Sequence, residues 1–101
     1  VFSPKGDVFD LPEDSTPIDF AYAVHTEIGN KAIGALVNNK MVPLDHPLKN
    51  GDLTEIIIDK RRKGPSRDWL KFVKTNRAKE KITHFTNESK FASFKKIFPK
   101  I

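Results

Sequence analysis

An α+β fold, with one helix packed on a mixed sheet, is predicted for this 101-residue chain by three observations. A capped helix signature runs from Thr16 to Gly29. Apolar runs compatible with strands follow it at Ala32–Val37 and Leu53–Ile58. Turn-forming residues separate each run from the next.

The elements follow in chain order. Val1–Ser3 and Val8–Leu11 read as the two strands of a hairpin, joined by the turn residues Pro4-Lys5-Gly6-Asp7. Pro12–Ser15 breaks the pattern and leads into the helix. Thr16 is the expected N-cap, and Pro17 takes the first helical position, where its missing N–H costs nothing. Asp19 sets a carboxylate against the positive end of the helix dipole. Ile18, Ala21, Tyr22, Val24 and Ile28 recur at helical spacing and form an apolar face, with His25 on its margin. Gly29 is expected to end the helix in a left-handed C-cap. Ala32–Val37 reads as a strand with Ile33, Ala35 and Val37 on one face, Asn38-Asn39-Lys40 as a turn, and Met41-Val42 as a short return strand. Pro43–Asp52 holds too many breakers for a regular element. Leu53–Ile58 closes the unit, and its three consecutive isoleucines predict burial on both faces and a central place in the sheet. This order is that of a ubiquitin-like β-grasp, assigned to residues 1–60.

Residues 61–101 are expected to form a second, basic and mainly helical segment. The run Lys60, Arg61, Arg62, Lys63 is a linker, and Gly64-Pro65 is a break. Ser66 then caps a helix with Asp68 in its first turn and Trp69, Phe72 and Val73 on one face. A second helix follows Thr75, with Ala78, Ile82 and Phe85 on one side and Lys74, Arg77 and Lys81 on another. From Phe91 the pattern weakens. The tail is a candidate for disorder, and Phe91, Phe94 and Phe98 together with an exposed Trp69 are a basis for a homodimer.

Charge divides the chain at the same place. Residues 1–59 carry four lysines against ten acidic residues, a net −6, while residues 60–101 carry fourteen basic residues against three acidic ones, a net +11. Such a break implies segments that serve different partners, or each other. The absence of cysteine excludes disulfides and thiolate zinc sites. No apolar run approaches the roughly 18 residues that span a bilayer, so a soluble, cytoplasmic protein is expected. The start at Val1 rather than methionine suggests a piece of a longer protein.

Catalytic signatures are missing. The chain has no phosphate-binding loop, no HExxH and no serine-nucleophile motif, and His25, His46 and His84 stand on separate elements without ligand spacing. No catalytic residue, metal or cofactor is therefore expected. His25 carries two readings. In the last turn of the helix it can bond to the terminal carbonyls as a charged cap, or it can present a planar donor at the rim, beside Lys31, to stack on a base and contact phosphate or ribose. Lys60, Arg61, Arg62 and Lys63 are a basic contact surface for RNA phosphates, or a solvated linker. Trp69 reads as a core anchor, with an exposed base-stacking role as the alternative.

Three stretches together resemble one known module. The PKG turn (Pro4–Gly6), the helix STPIDFAYAVHTEIG (Ser15–Gly29) and the loop VPLDHPLKNGD (Val42–Asp52) are similar to the TGS domain, a β-grasp module of threonyl-tRNA synthetases, a GTPase group and the RelA/SpoT stringent-response enzymes. The continuation GPSRDWLKFVKTNRAKEKI (Gly64–Ile82) resembles the segment that follows TGS in RelA/SpoT proteins, and threonyl-tRNA synthetase, the second alternative, does not continue this way. The resemblance implies a regulatory piece of a (p)ppGpp synthetase/hydrolase, itself not an enzyme, whose parent is a GTP pyrophosphokinase or the corresponding 3′-pyrophosphohydrolase. It implies that the domain embraces the 3′ CCA end of uncharged tRNA on the ribosome, with His25 touching that end. Lys31 stands where some relatives carry arginine, which keeps the charge and loses the planar fork. An alternative implied partner is acyl carrier protein, or the upstream catalytic domains, and the +11 segment suits an acidic partner.

Overall fold

The computed structural model describes residues 1–97, with side chains described through Asn87, so the side chains of Phe91 and Phe94, and all of Phe98, lie outside the described residues. The chain forms helices α1 (Pro17–Val24) and α2 (Thr26–Lys31) and strands β1 (Ala32–Val37), β2 (Lys40–Val42) and β3 (Thr54–Ile58). A 3-10 turn (Arg67–Lys71) and a third helix, α3 (Asn76–Ile97), follow.

The start of α1 is closed reciprocally. Asp19 N–H donates to Thr16 Oγ1 at 3.5 Å, and the Asp19 carboxylate accepts from Thr16 N–H at 2.9 Å, which forms a capping box with Pro17 beside it. The helix then ends early. The sequence predicts one helix to Gly29, but His25 is extended (φ −167°, ψ 144°) and divides it into α1 and α2. Ile18, Ala21 and Tyr22 are fully buried, whereas Val24, the last residue of α1 before the break, is exposed. Phe20, outside the predicted apolar face, is buried against Phe9, with the rings edge to face at 5.2 Å.

The sheet has the order β2-β1-β3 with both pairs antiparallel. Asn38 (φ 52°) and Asn39 (φ 69°) make a two-residue turn that sets Val37 opposite Lys40, a left-handed conformation that asparagine tolerates. Two expectations are corrected. The isoleucine strand β3 is an edge, with β1 in the centre, because the predicted first strand contributes only the bridges Phe2–Val8 and, in parallel, Phe2–Leu53. Ile58 is accordingly 42% exposed. On β1, register shifts between Ala32 and Gly34, so Ile33 is an extra residue in a bulge and is exposed while Ala32 and Ala35 are both buried.

Two apolar clusters meet at Ile56. One joins Phe20, Val37 and Leu48; the other joins Ile18, Tyr22 and Ala32 to Trp69, Val73, Ala78 and Ile82. Residues 69–82 thus share a core with the helix and the sheet. Trp69 is buried, as the anchor reading expects, which removes one of the two features that suggested a homodimer.

A buried carboxylate fixes this joint. Asp19 is 1% exposed and, besides closing α1, accepts from the N–H groups of Lys74 (3.0 Å) and Thr75 (2.9 Å) and from Thr75 Oγ1 (2.9 Å). Thr75 Oγ1 in turn accepts from Ala78 N–H at 3.2 Å, so the N-terminus of α3 is capped. The same aspartate therefore orders the first turns of two helices.

Candidate nucleic-acid interface

His25 occupies the corner between α1 and α2. Its N–H still donates to Ala21 C=O and its C=O still accepts from Gly29 N–H, both at 3.1 Å, so the backbone turns without losing those bonds. The ring caps the second helix: Nδ1 accepts from Glu27 N–H at 3.0 Å. This differs from the predicted charged cap on the carbonyls of a helix end, because the ring faces the positive end of α2. Accepting at Nδ1 leaves the proton of the neutral ring on Nε2, the nitrogen on the exposed side chain's other edge. The residue thus presents a planar ring held at one nitrogen and open at the other.

The corner is set from beneath. Tyr22 is fully buried and its hydroxyl donates to Asn30 Oδ1 at 2.8 Å, tying α1 to α2. Gly29 lies on the Tyr22 ring, where any β-carbon would overlap it. Gly29 is therefore required for close approach, not as the left-handed cap that its position suggested. Burial pushes the Tyr22 hydroxyl well above the ordinary phenol range, with the nearby Arg62 charge opposing.

Lys31 ends α2, six residues of helix or about 9 Å along the axis from the His25 corner. Its Nζ donates to the carbonyls of Lys60 and Arg62, each at 3.3 Å, and its own carbonyl accepts from Asp59 N–H at 3.0 Å. Lys31 thereby pins the basic linker under the helix. The four linker cations part company. Arg61 pairs with Asp59 at 3.3 Å, and the Arg61 backbone N–H and guanidinium hold the Asp59 carboxyl below its usual range. Arg62 turns inward, 4.7 Å from the centre of the Trp69 ring, with Nε donating to Gly64 C=O at 2.8 Å. Lys60 and Lys63 are exposed.

A cleft of about 430 Å³ opens beside the corner, against the outer edge of β3. Its walls include Phe9, Phe20, Val24, Ile28, Ile56 and Ile58, and Thr54 Oγ1, buried in the wall, has no hydrogen-bond partner among the described residues. Apolar walls with one unused hydroxyl suit a flat group bearing a few polar atoms. The spacing of Val24 and Ile28 predicts a place in the core; instead Val24 lines the cleft beside Phe20 on α1, and Ile28 reaches it after the break at His25, which no motif announces.

Comparison with known proteins bears on the chain directly. The TGS domain family matches residues 1–58. A GTP pyrophosphokinase of Streptomyces coelicolor is 60% identical over 83 residues, 81% of this chain and 10% of the relative. The bifunctional (p)ppGpp synthase/hydrolase RelA of Mycobacterium tuberculosis is 57% identical over 83 residues, 81% of this chain and 11% of the relative. A guanosine-3′,5′-bis(diphosphate) 3′-pyrophosphohydrolase of Aquifex aeolicus is 54% identical over 85 residues, 84% of this chain and 12% of the relative. The chain spans about a tenth of the length of these relatives. Among the described residues, no helix is long and apolar enough to cross a membrane.

Proposed function

The chain belongs to the TGS domain family, and from that membership we propose that it is the regulatory TGS segment of a cytoplasmic (p)ppGpp synthetase/hydrolase, sensing the 3′ CCA end of uncharged tRNA on the ribosome. The names of its relatives support this setting over that of threonyl-tRNA synthetase. The segment itself catalyses nothing; nucleotide chemistry belongs to the rest of the protein.

One observation carries the reading. His25 is exposed at the corner of two short helices, with Nδ1 engaged by Glu27 N–H and Nε2 unbonded among the described residues. The ring is thus pre-oriented, so its ordering cost is met before binding. Nε2–H donates to ribose or phosphate oxygen, and the neighbouring cleft accepts the face of the terminal base. An amino acid esterified to the terminal ribose adds bulk and removes a hydroxyl at this corner, so discrimination is steric and polar. Lys31, occupied by two linker carbonyls, serves RNA through its charge and by holding Lys60 in place. Titration of the full-length protein with deacylated and aminoacylated tRNA tests the proposal: tighter binding of the deacylated form is expected, and equal binding would remove it.

A second reading has its own support. Met41, 68% exposed, neighbours Ile57 on the sheet face away from α1, and an uncovered apolar face suits docking of the upstream catalytic domains or acyl carrier protein. Weaker association with either partner after Met41→Glu would favour it.

A further inference from the structure

We infer that the surface formed by Lys74 and the first turns of α3 is a second RNA contact, one that grips a duplex backbone without reading sequence. It deepens the tRNA reading and rests on it for the class of partner, but uses residues outside the stretch matched by the family.

Residues 59–87 hold ten basic and three acidic residues. Two of the acids are already taken, Asp59 by Arg61 and Asp68 by Lys71. Lys74, Arg77 and Lys81 are exposed and have no acidic partner among the described residues. They follow one another at intervals of three and four, so Arg77 and Lys81 stand on one flank of α3, about 6 Å apart along the axis, with Lys74 just before the helix. Ala78 and Ile82, each the next residue along and about 100° round the helix, are fixed in the core, so this flank cannot rotate inward. The Asp19 carboxylate anchors the Lys74 and Thr75 backbone at its base, which makes the row rigid.

The surroundings decide between kinds of acidic partner. Every large apolar residue exposed among the described residues lies between Phe2 and Ile58, and none in 59–87. A protein interface has an apolar core within its charged rim, whereas a nucleic-acid backbone is held by cations and water without one. A rigid row of unpaired cations with no apolar centre therefore fits phosphates, not an acidic protein.

The test measures binding of the full-length protein to an RNA hairpin of arbitrary sequence lacking a single-stranded CCA end, as a function of salt. The variant K74Q/R77Q/K81Q is compared with K40Q/K49Q/K79Q, which removes equal charge from exposed positions outside both the row and the cleft. The first variant is expected to bind at least about tenfold more weakly, with a salt slope smaller by about three, while the second stays near wild type. Thermal melts verify folding, and if the triple variant melts early, K81Q alone is expected to lower the slope by about one. An unchanged slope, or equal losses in both triple variants, would overturn the inference, as would equal affinity for polyglutamate. His25→Asn alters discrimination of the 3′ end and leaves this slope unchanged, so failure here is distinguishable from failure of the sensing proposal.

Discussion

The carboxylate of Asp19 accepts both the N–H and the hydroxyl of Thr75, at 2.9 Å each, across 56 residues of sequence. Asp19 also closes its own helix through Thr16, so one buried group organises the starts of α1 and α3. Asp19→Ala would strand several buried donors at once and is expected to cost about 3 kcal/mol or more of unfolding free energy in denaturant titration. Asp19→Asn, which keeps one acceptor and turns an amide toward donors, should cost about 2 kcal/mol. A loss below about 0.5 kcal/mol for the alanine variant would show that the segment after residue 60 is not locked to the β-grasp.

Much of this architecture is legible in residue order, and what is hidden has physical causes. Thr16, Pro17, Ser66 and the spacing of Ala78 and Ile82 act locally, and each stands where the pattern places it. The break at His25 has neither proline nor glycine to mark it; it arises because the ring supplies an alternative cap to the following turn. The bulge at Ile33 shifts the alternation by one residue, which no period-two pattern records. Asp19 reads correctly as a first-turn acid, but its bonds to Lys74 and Thr75 depend on the tertiary fold. At the site, exposure of His25 was legible, whereas the occupation of Lys31 by linker carbonyls was not.

The glycines separate packing from flexibility. Gly29→Ala should destabilise by about 2–3 kcal/mol, because the new methyl overlaps the buried Tyr22 ring. Gly34→Ala meets Ile57 and Met41 at 3.6 and 3.7 Å, ordinary contact distances, and should be neutral or slightly stabilising. Comparable losses in the two variants, by thermal melt, would contradict the packing role of Gly29.

Alkaline stability should follow Tyr22, the only tyrosine. Its folded pKa is raised by burial, so between the unfolded value of about 10 and the folded one the unfolded chain has lost a proton that the native chain keeps. The stability it contributes is complete below pH about 10 and falls above it, by at most about 1.4 kcal/mol per pH unit. Phenolate absorbance should therefore appear together with unfolding, and Tyr22→Phe should flatten the decline. Phenolate formation in the folded chain near its ordinary pKa would contradict the burial.

Arg62 is expected to act through Trp69, the only tryptophan. Arg62→Lys keeps the charge but loses the Nε bond to Gly64 and the flat stacking group, and should cost about 1 kcal/mol with a change in tryptophan emission. Unaltered emission and stability would place Arg62 with the solvated cations of the linker.

The central claim, that the exposed edge of His25 reads the end of tRNA, is tested most directly by His25→Asn. Asparagine is an effective N-cap and replaces the ring's bond to Glu27 N–H, so α2 and overall stability should be retained. The measurement is the ratio of affinities for deacylated and aminoacylated tRNA in the full-length protein, with an intact melting temperature as the control. The account predicts that the ratio falls toward one in the variant. A variant that discriminates as well as the wild type would contradict it and leave His25 as a helix cap alone.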